Sequence, residues 1–234
     1  AANAVFGYYV LKETVDDRLR RAFGWRRAIP FGVVKHLRLL PGVLGLIFVF
    51  FLYQLAFGVY PAVWSYYTKL RFDWSEGMIG LSLALFGISL AVVQGVLIRP
   101  ALRLLGERGA VIYGHIADVV IFCLIGVVSS GAVLLGLTPL SALPGVITPA
   151  LQGIMSKKVG DDAQGELQGA LTSASAIAMI LSYGVMSLSF WGFARPEAPI
   201  TLPGAPFFLA AILLTLGLVV FLQCNKADKP PHAT

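Results

Sequence analysis

One carboxylate in this chain stands apart from the rest. Asp118 lies about eight residues into the apolar run 110–129, roughly 12 Å from its end at helical rise and so near the midplane if that run crosses a bilayer. The other acids, Glu13, Asp16, Asp17, Asp73, Glu76, Glu107, Asp161, Asp162, Glu166, Glu197 and Asp228, sit in polar segments or at the edges of apolar ones. An ionised carboxylate in hydrocarbon costs about 2.5 kcal/mol or more by insertion scales, so such a group faces a bundle interior and is by default a functional candidate. The chemistry open to it is reversible proton binding. The plainer alternative is a permanently protonated Asp hydrogen-bonded between helices. His115, three residues earlier and on the same helical side, can relay a proton or pair with Asp118, or simply reach toward the interface. The H-x-x-D spacing has no third ligand nearby, so no metal site is read.

Other polar groups lie inside apolar runs. Gln54 and Gln94 are long amides at mid-run positions, and with Ser82, Ser89, Thr138 and Gln152 they are candidates for a polar path. Interhelical hydrogen bonding is the competing role for most of them. Trp64, Tyr66 and Tyr67 suit an interfacial belt, whereas Tyr53 and Tyr60 lie deeper, where they either line a site for a flat aromatic molecule or pack. The charge-dense segment 99–110, RPALRLLGERGA, reads as a short turn between two spans. Gly106 can end a helix there, while Arg99, Arg103, Glu107 and Arg108 meet helix-end charges or merely set orientation. Nucleophile elbow, H-E-x-x-H, Walker loop and C-x-x-C are all missing from the sequence. The chain is therefore read as no enzyme and as needing no cofactor; a membrane hydrolase fits poorly because His115 has no serine motif to serve. Cys123 and Cys224 match no ligand spacing.

The elements that must position these residues follow from composition. The 234 residues are 57% hydrophobic and 13% charged, with mean hydropathy +0.80, where a soluble domain carries about 25% charged residues. Lipid is the solvent such a chain requires. Six apolar runs, 42–68, 77–98, 110–129, 132–155, 167–191 and 206–223, are long enough to cross a bilayer as helices, which predicts an all-α polytopic membrane protein with a half-bundle over 42–223. Residues 1–11 read as the tail of a preceding membrane helix, 12–41 as a basic cytoplasmic linker and 224–234 as a cytoplasmic tail.

Fifteen of the eighteen basic residues fall on one side of that topology. The other side holds Lys69, Arg71 and Arg195, so linker and C-terminus are expected in the cytoplasm. The net charge of +6 thus reads as orientation and not as nucleic-acid binding. Pro139, Pro144 and Pro149 in the fourth run free backbone carbonyls and predict a kinked helix that faces protein or a cavity. The first three and last three runs would be the halves of an inverted repeat.

The stretches FDWSEGMIGLSLALFGISLAVVQG, GERGAVIYGHIAD and TPALQGIMSKKVGDDAQGELQGALTS resemble the C-terminal half of the tetracycline-efflux antiporters, drug/proton exchangers of the major facilitator superfamily. The likeness runs from the linker through all six spans, and the 99–108 segment resembles the second-half copy of that superfamily's cytoplasmic-loop motif. It implies a six-helix half of a twelve-helix transporter in the bacterial inner membrane, with a separate N-terminal half as partner. The expected activity is export of a small amphipathic drug, tetracycline as its divalent metal complex, driven by the proton gradient. It implies Asp118 in proton coupling and Gln54 and Gln94 near the drug path. The family commonly carries a histidine in the middle of the second helix of this half, and here that position is Leu90. A multidrug exporter of the same superfamily and a non-transporting six-helix subunit are the alternatives.

Overall fold

Prolines and glycines decide where the long apolar runs bend. The computed structural model describes residues 42–227 except 199, and every regular element among them is helical. The segments 1–41 and 228–234, including the expected linker and most of the tail, lie outside the described residues. Helices α1 (Val43–Phe57) and α2 (Val59–Phe72) form one span interrupted at Gly58. Pro61 has no N–H for the carbonyl of Phe57, which explains an interruption there. Helix α3 (Glu76–Val92), capped by Ser75 Oγ accepting from the Met78 N–H at 3.3 Å, passes through a π-helical turn, Val93–Leu97, into α4 (Ile98–Val127).

Five helical stretches are long and apolar enough to cross a membrane: Val43–Phe72, Glu76–Val127, Gly131–Lys158, Gln164–Ala194 and Ala205–Cys224. The expectation of two runs, 77–98 and 110–129, separated by a turn is met differently. They belong to one stretch of 52 residues, and the segment 99–110 is helical on both sides of Gly106. At helical rise such a stretch would measure about 78 Å, more than twice the hydrocarbon thickness. It is no straight rod. Gly106 has φ 67° and ψ 169°, a region open essentially to glycine alone.

The proline-rich run is broken as its sequence predicts. Helix α5 (Gly131–Leu140) stops just after Pro139, a 3-10 turn spans Leu143–Val146, and α6 (Ile147–Lys158) resumes with Pro149 in its first turn, where a missing N–H does no harm. Helices α7 (Gln164–Ala194) and α8 (Ala205–Ala227) complete the fold. The core forms where α8 packs along α1 and α4 and where α7 packs along α1. At one point backbone meets backbone: a Cβ at Gly204 would overlap the Gly126 carbonyl. In contrast, α3 and α7 present Leu81, Leu83, Ile88, Ile177, Ile180 and Leu188 outward, apolar surface that lipid or further protein must cover.

Candidate functional site

Where the three interruptions meet, the bundle leaves space. A cavity of about 230 Å³ is lined by α1 near Gly58, by α3 and its π turn, by α4, and by the broken α5–α6 segment. Asp118 contributes the one carboxylate on its wall and is 2% exposed. Gln54, Gln94 and Tyr53 share the lining, so four of the residues singled out from sequence converge on one space. Ser141 and Thr148 add hydroxyls, Phe57 and Phe86 add aromatic faces, and no lysine or arginine takes part.

Each polar group is positioned by its element. Gln54, half-buried on α1, donates from Nε2 to Ser175 Oγ on α7 at 2.8 Å, so it ties two helices together as well as facing the cavity. Gln94 lies within the π-helical turn, the kind of local bulge that re-aims a side chain at functional sites. Tyr53 is buried on α1, interacts with Thr148, and its ring lies 6.2 Å from that of His115. Leu90, at the position where the resembling family commonly has histidine, packs against Gly145; a Cβ there would stand 2.7 Å from Leu90 Cδ1.

Two predicted site residues lie elsewhere. His115 is fully buried but does not line the cavity. Its Nδ1 lies 2.9 Å from the Val111 carbonyl, and because a carbonyl only accepts, Nδ1 carries the proton. Nε2 faces Gly217 of α8 and has no hydrogen-bond partner among the described residues. Tyr60 also stands off the cavity. Its ring packs 5.5 Å from Phe57 and 5.4 Å from Phe86, both of which line it.

Ser82, Ser89 and Thr138 are occupied by structural bonds. Ser82 Oγ accepts from Trp64 Nε1 at 3.0 Å and donates to the Ile79 carbonyl, Ser89 donates to Leu85, and Thr138 donates to Leu134. The polar groups that sequence reasoning missed are Ser141 and Thr148, which enter the cavity because the chain leaves helical geometry after Pro139. The available signal was a hydroxyl beside a mid-run proline, Ser141 two residues after Pro139 and Thr148 immediately before Pro149.

The Gly106 segment is built separately, at one end of the bundle. Glu107 Oε1 pairs with Lys157 Nζ at 2.7 Å, reaching across to α6 over Gly153, where a Cβ would meet the same oxygen. Arg99, Arg103 and Arg108 are exposed, and none of these residues touches the cavity. No group of histidine, cysteine and carboxylate side chains that could hold a metal occurs among the described residues.

No family model matches the chain. It is 35% identical over 178 residues to the tetracycline resistance protein, class C, of Escherichia coli, covering 76% of this chain and 45% of that protein. To the class B protein of Escherichia coli it is 33% identical over 194 residues, covering 80% and 47%. The chain spans about half the length of the curated relatives it matches. Among solved structures, the human organic anion transporter MFSD10 superposes with a TM-score of 0.78 at 23% identity, covering 94% of this chain and 54% of that one, a likeness of fold.

Proposed function

Starting from a chain related along most of its length to the tetracycline resistance proteins and folded as half of a major facilitator transporter, we propose that it is part of a secondary exporter that exchanges a small amphipathic drug for protons. The observation that carries this reading is Asp118: a buried carboxylate on a cavity wall that holds no lysine or arginine, opening onto a space shared with Gln54, Gln94 and Tyr53. A carboxyl in that setting changes its proton occupancy when the solvation of the cavity changes, which is what alternating access brings about. The amides and aromatic faces supply orientation and stacking for a flat, polar-edged molecule. Tetracycline as its divalent metal complex is the substrate favoured by the relatives' names. A different major facilitator substrate is favoured only by Leu90, which closes the cavity wall against Gly145 with an apolar group.

The 52-residue helical stretch supports six crossings, two of them joined at Gly106, and the fifteen-to-three split of the basic residues favours the Gly106 end, the linker and the C-terminus in the cytoplasm, at the inner membrane. The half-length match supports an N-terminal half that completes the drug path. The test is uptake of tetracycline with magnesium into everted vesicles that hold the complete protein. Accumulation should require an inward-acid pH gradient and vanish when the gradient is collapsed. Accumulation that survives the collapse would contradict antiport; gradient-dependent uptake of an unrelated drug with no uptake of tetracycline would reassign the substrate.

A further inference from the structure

The segment between α5 and α6 is wedged in place by two side chains seated on glycines. On α4, a Cβ at Gly114 would overlap Ile147, the first residue of α6. In the 3-10 turn, a Cβ at Gly145 would stand 2.7 Å from Leu90 Cδ1 of α3 and 3.8 Å from Val93 Cγ1. The broken segment thus fills a notch on α4 with its own Ile147, while its own notch is filled from α3 by Leu90.

The backbone does not ask for glycine at 145. The glycines with positive φ among the described residues are Gly42 and Gly106. Gly145 sits in a 3-10 turn and donates its N–H to the Ala142 carbonyl at 3.0 Å, a conformation that alanine adopts without strain. What excludes a side chain there is Leu90, whose end methyl leaves no room for a Cβ. Leu90 and Gly145 are both half-buried, and both line the cavity that holds Asp118. The residues that α3 itself brings to the lining are Phe86 and Leu90, so this wall is apolar, while the amides, hydroxyls and carboxylate come from the other elements. The space measures about 230 Å³, below the ~300 Å³ at which pockets for drug-sized molecules begin. In so small a space one leucine side chain decides how much bulk the α3 wall admits.

We infer that Leu90 and Gly145 form a size filter: Leu90, seated on Gly145, sets how bulky the edge of a drug can be where it meets α3. The filter acts on bulk and not on charge, and it selects flat molecules whose edge toward α3 is small and apolar. It rests on this cavity being the drug site of the proposed exporter. Leu90 stays seated only while residue 145 has no side chain. With alanine at 145 the leucine methyl must swing away, and the open space beside it is the cavity.

The experiment measures binding to the complete transporter in detergent with magnesium, followed by the drug's own fluorescence. The probes are tetracycline and a tetracycline derivative enlarged by a bulky apolar substituent. Leu90→Ala should move the ratio of the two affinities toward the bulky compound by about tenfold or more, as expected for side-chain bulk removed from an apolar wall. Gly145→Ala should weaken binding of both compounds, the bulky one more. Adding Leu90→Ala to Gly145→Ala should return both affinities to within about twofold of Leu90→Ala alone, because the new methyl group then meets nothing. A merely loosened fold would not be rescued by a second large-to-small change. An unchanged ratio in Leu90→Ala, wild-type binding in Gly145→Ala, or a Gly145→Ala defect that persists beside Leu90→Ala would overturn the filter and leave the exporter reading standing. Failure of the wild-type transporter to bind tetracycline would overturn that reading of the cavity and the filter with it.

Discussion

The two ends of this bundle are joined by different chemistry. At the end that carries residues 128–130, side chains of α2 bond directly to the last carbonyls of α4: the Tyr67 hydroxyl to Ile125, Arg71 Nε to Val128 at 2.7 Å and Arg71 Nη2 to Val127 at 3.2 Å. Those carbonyls have no intrahelical partner, so a cation there satisfies both hydrogen bonding and the helix dipole. Beneath them Tyr60, Trp64, Tyr67, Trp74, Phe122 and Phe207 form a continuous aromatic cluster. At the Gly106 end, the partly exposed Glu107–Lys157 pair is an ionic tie between α4 and α6. Gln164 staples α6 to the start of α7, accepting from Ser156 Oγ and donating to the carbonyls of Ser156 and Val159. The cavity with Asp118 lies between these regimes. At one end the polar ties run to helix-end carbonyls above a cluster of packed rings; at the other the polar ties are partly exposed side-chain pairs over an aliphatic core that includes Leu151, Met155 and Leu167.

That contrast can be broken in graded steps, read as apparent melting temperature in detergent. Gly204→Val should have the largest effect, about 3 kcal/mol, because the new side chain must separate α4 from α8 at their closest approach. Arg71→Ala should cost about 2 kcal/mol through the loss of charged bonds to two helix-end carbonyls. Ser82→Ala should cost about 1 kcal/mol, since it leaves the buried Trp64 N–H without its acceptor. Lys157→Ala, at the weakly tied end, should stay below about 0.5 kcal/mol, because Lys157 is 71% exposed. If Lys157→Ala destabilised the protein as much as Arg71→Ala, the two ends would not differ as described.

Much of this was legible from residue type alone. Asp118 stood out because no other carboxylate lies deep in an apolar run, and the kink in the fourth run followed from three prolines. The helix through 99–105 was not legible, since charge density there looks like a turn while Arg, Leu and Ala are all good helix formers. His115 and Asp118 were read as sharing a face, but a three-residue step turns a helix by 300°, and the remaining 60° points one side chain toward α8 and the other into the cavity. The bond from Gln54 to Ser175 joins residues 121 positions apart, and no local pattern announces it. Ser141 and Thr148 were passed over because helical periodicity fails where the chain breaks. The π turn at Gln94 has no sequence signature beyond the adjacent Gly95.

The central claim is that Asp118 carries the exchanged proton. Asp118→Asn keeps size and hydrogen-bonding capacity and removes titration, so the decisive measurement is tetracycline-driven proton release from everted vesicles at matched protein levels. The complete transporter with Asp118→Asn should insert and fold normally, release no protons on addition of drug, and fail to concentrate tetracycline against a gradient. Wild-type coupling in Asp118→Asn would contradict the claim and make Asp118 a protonated structural residue.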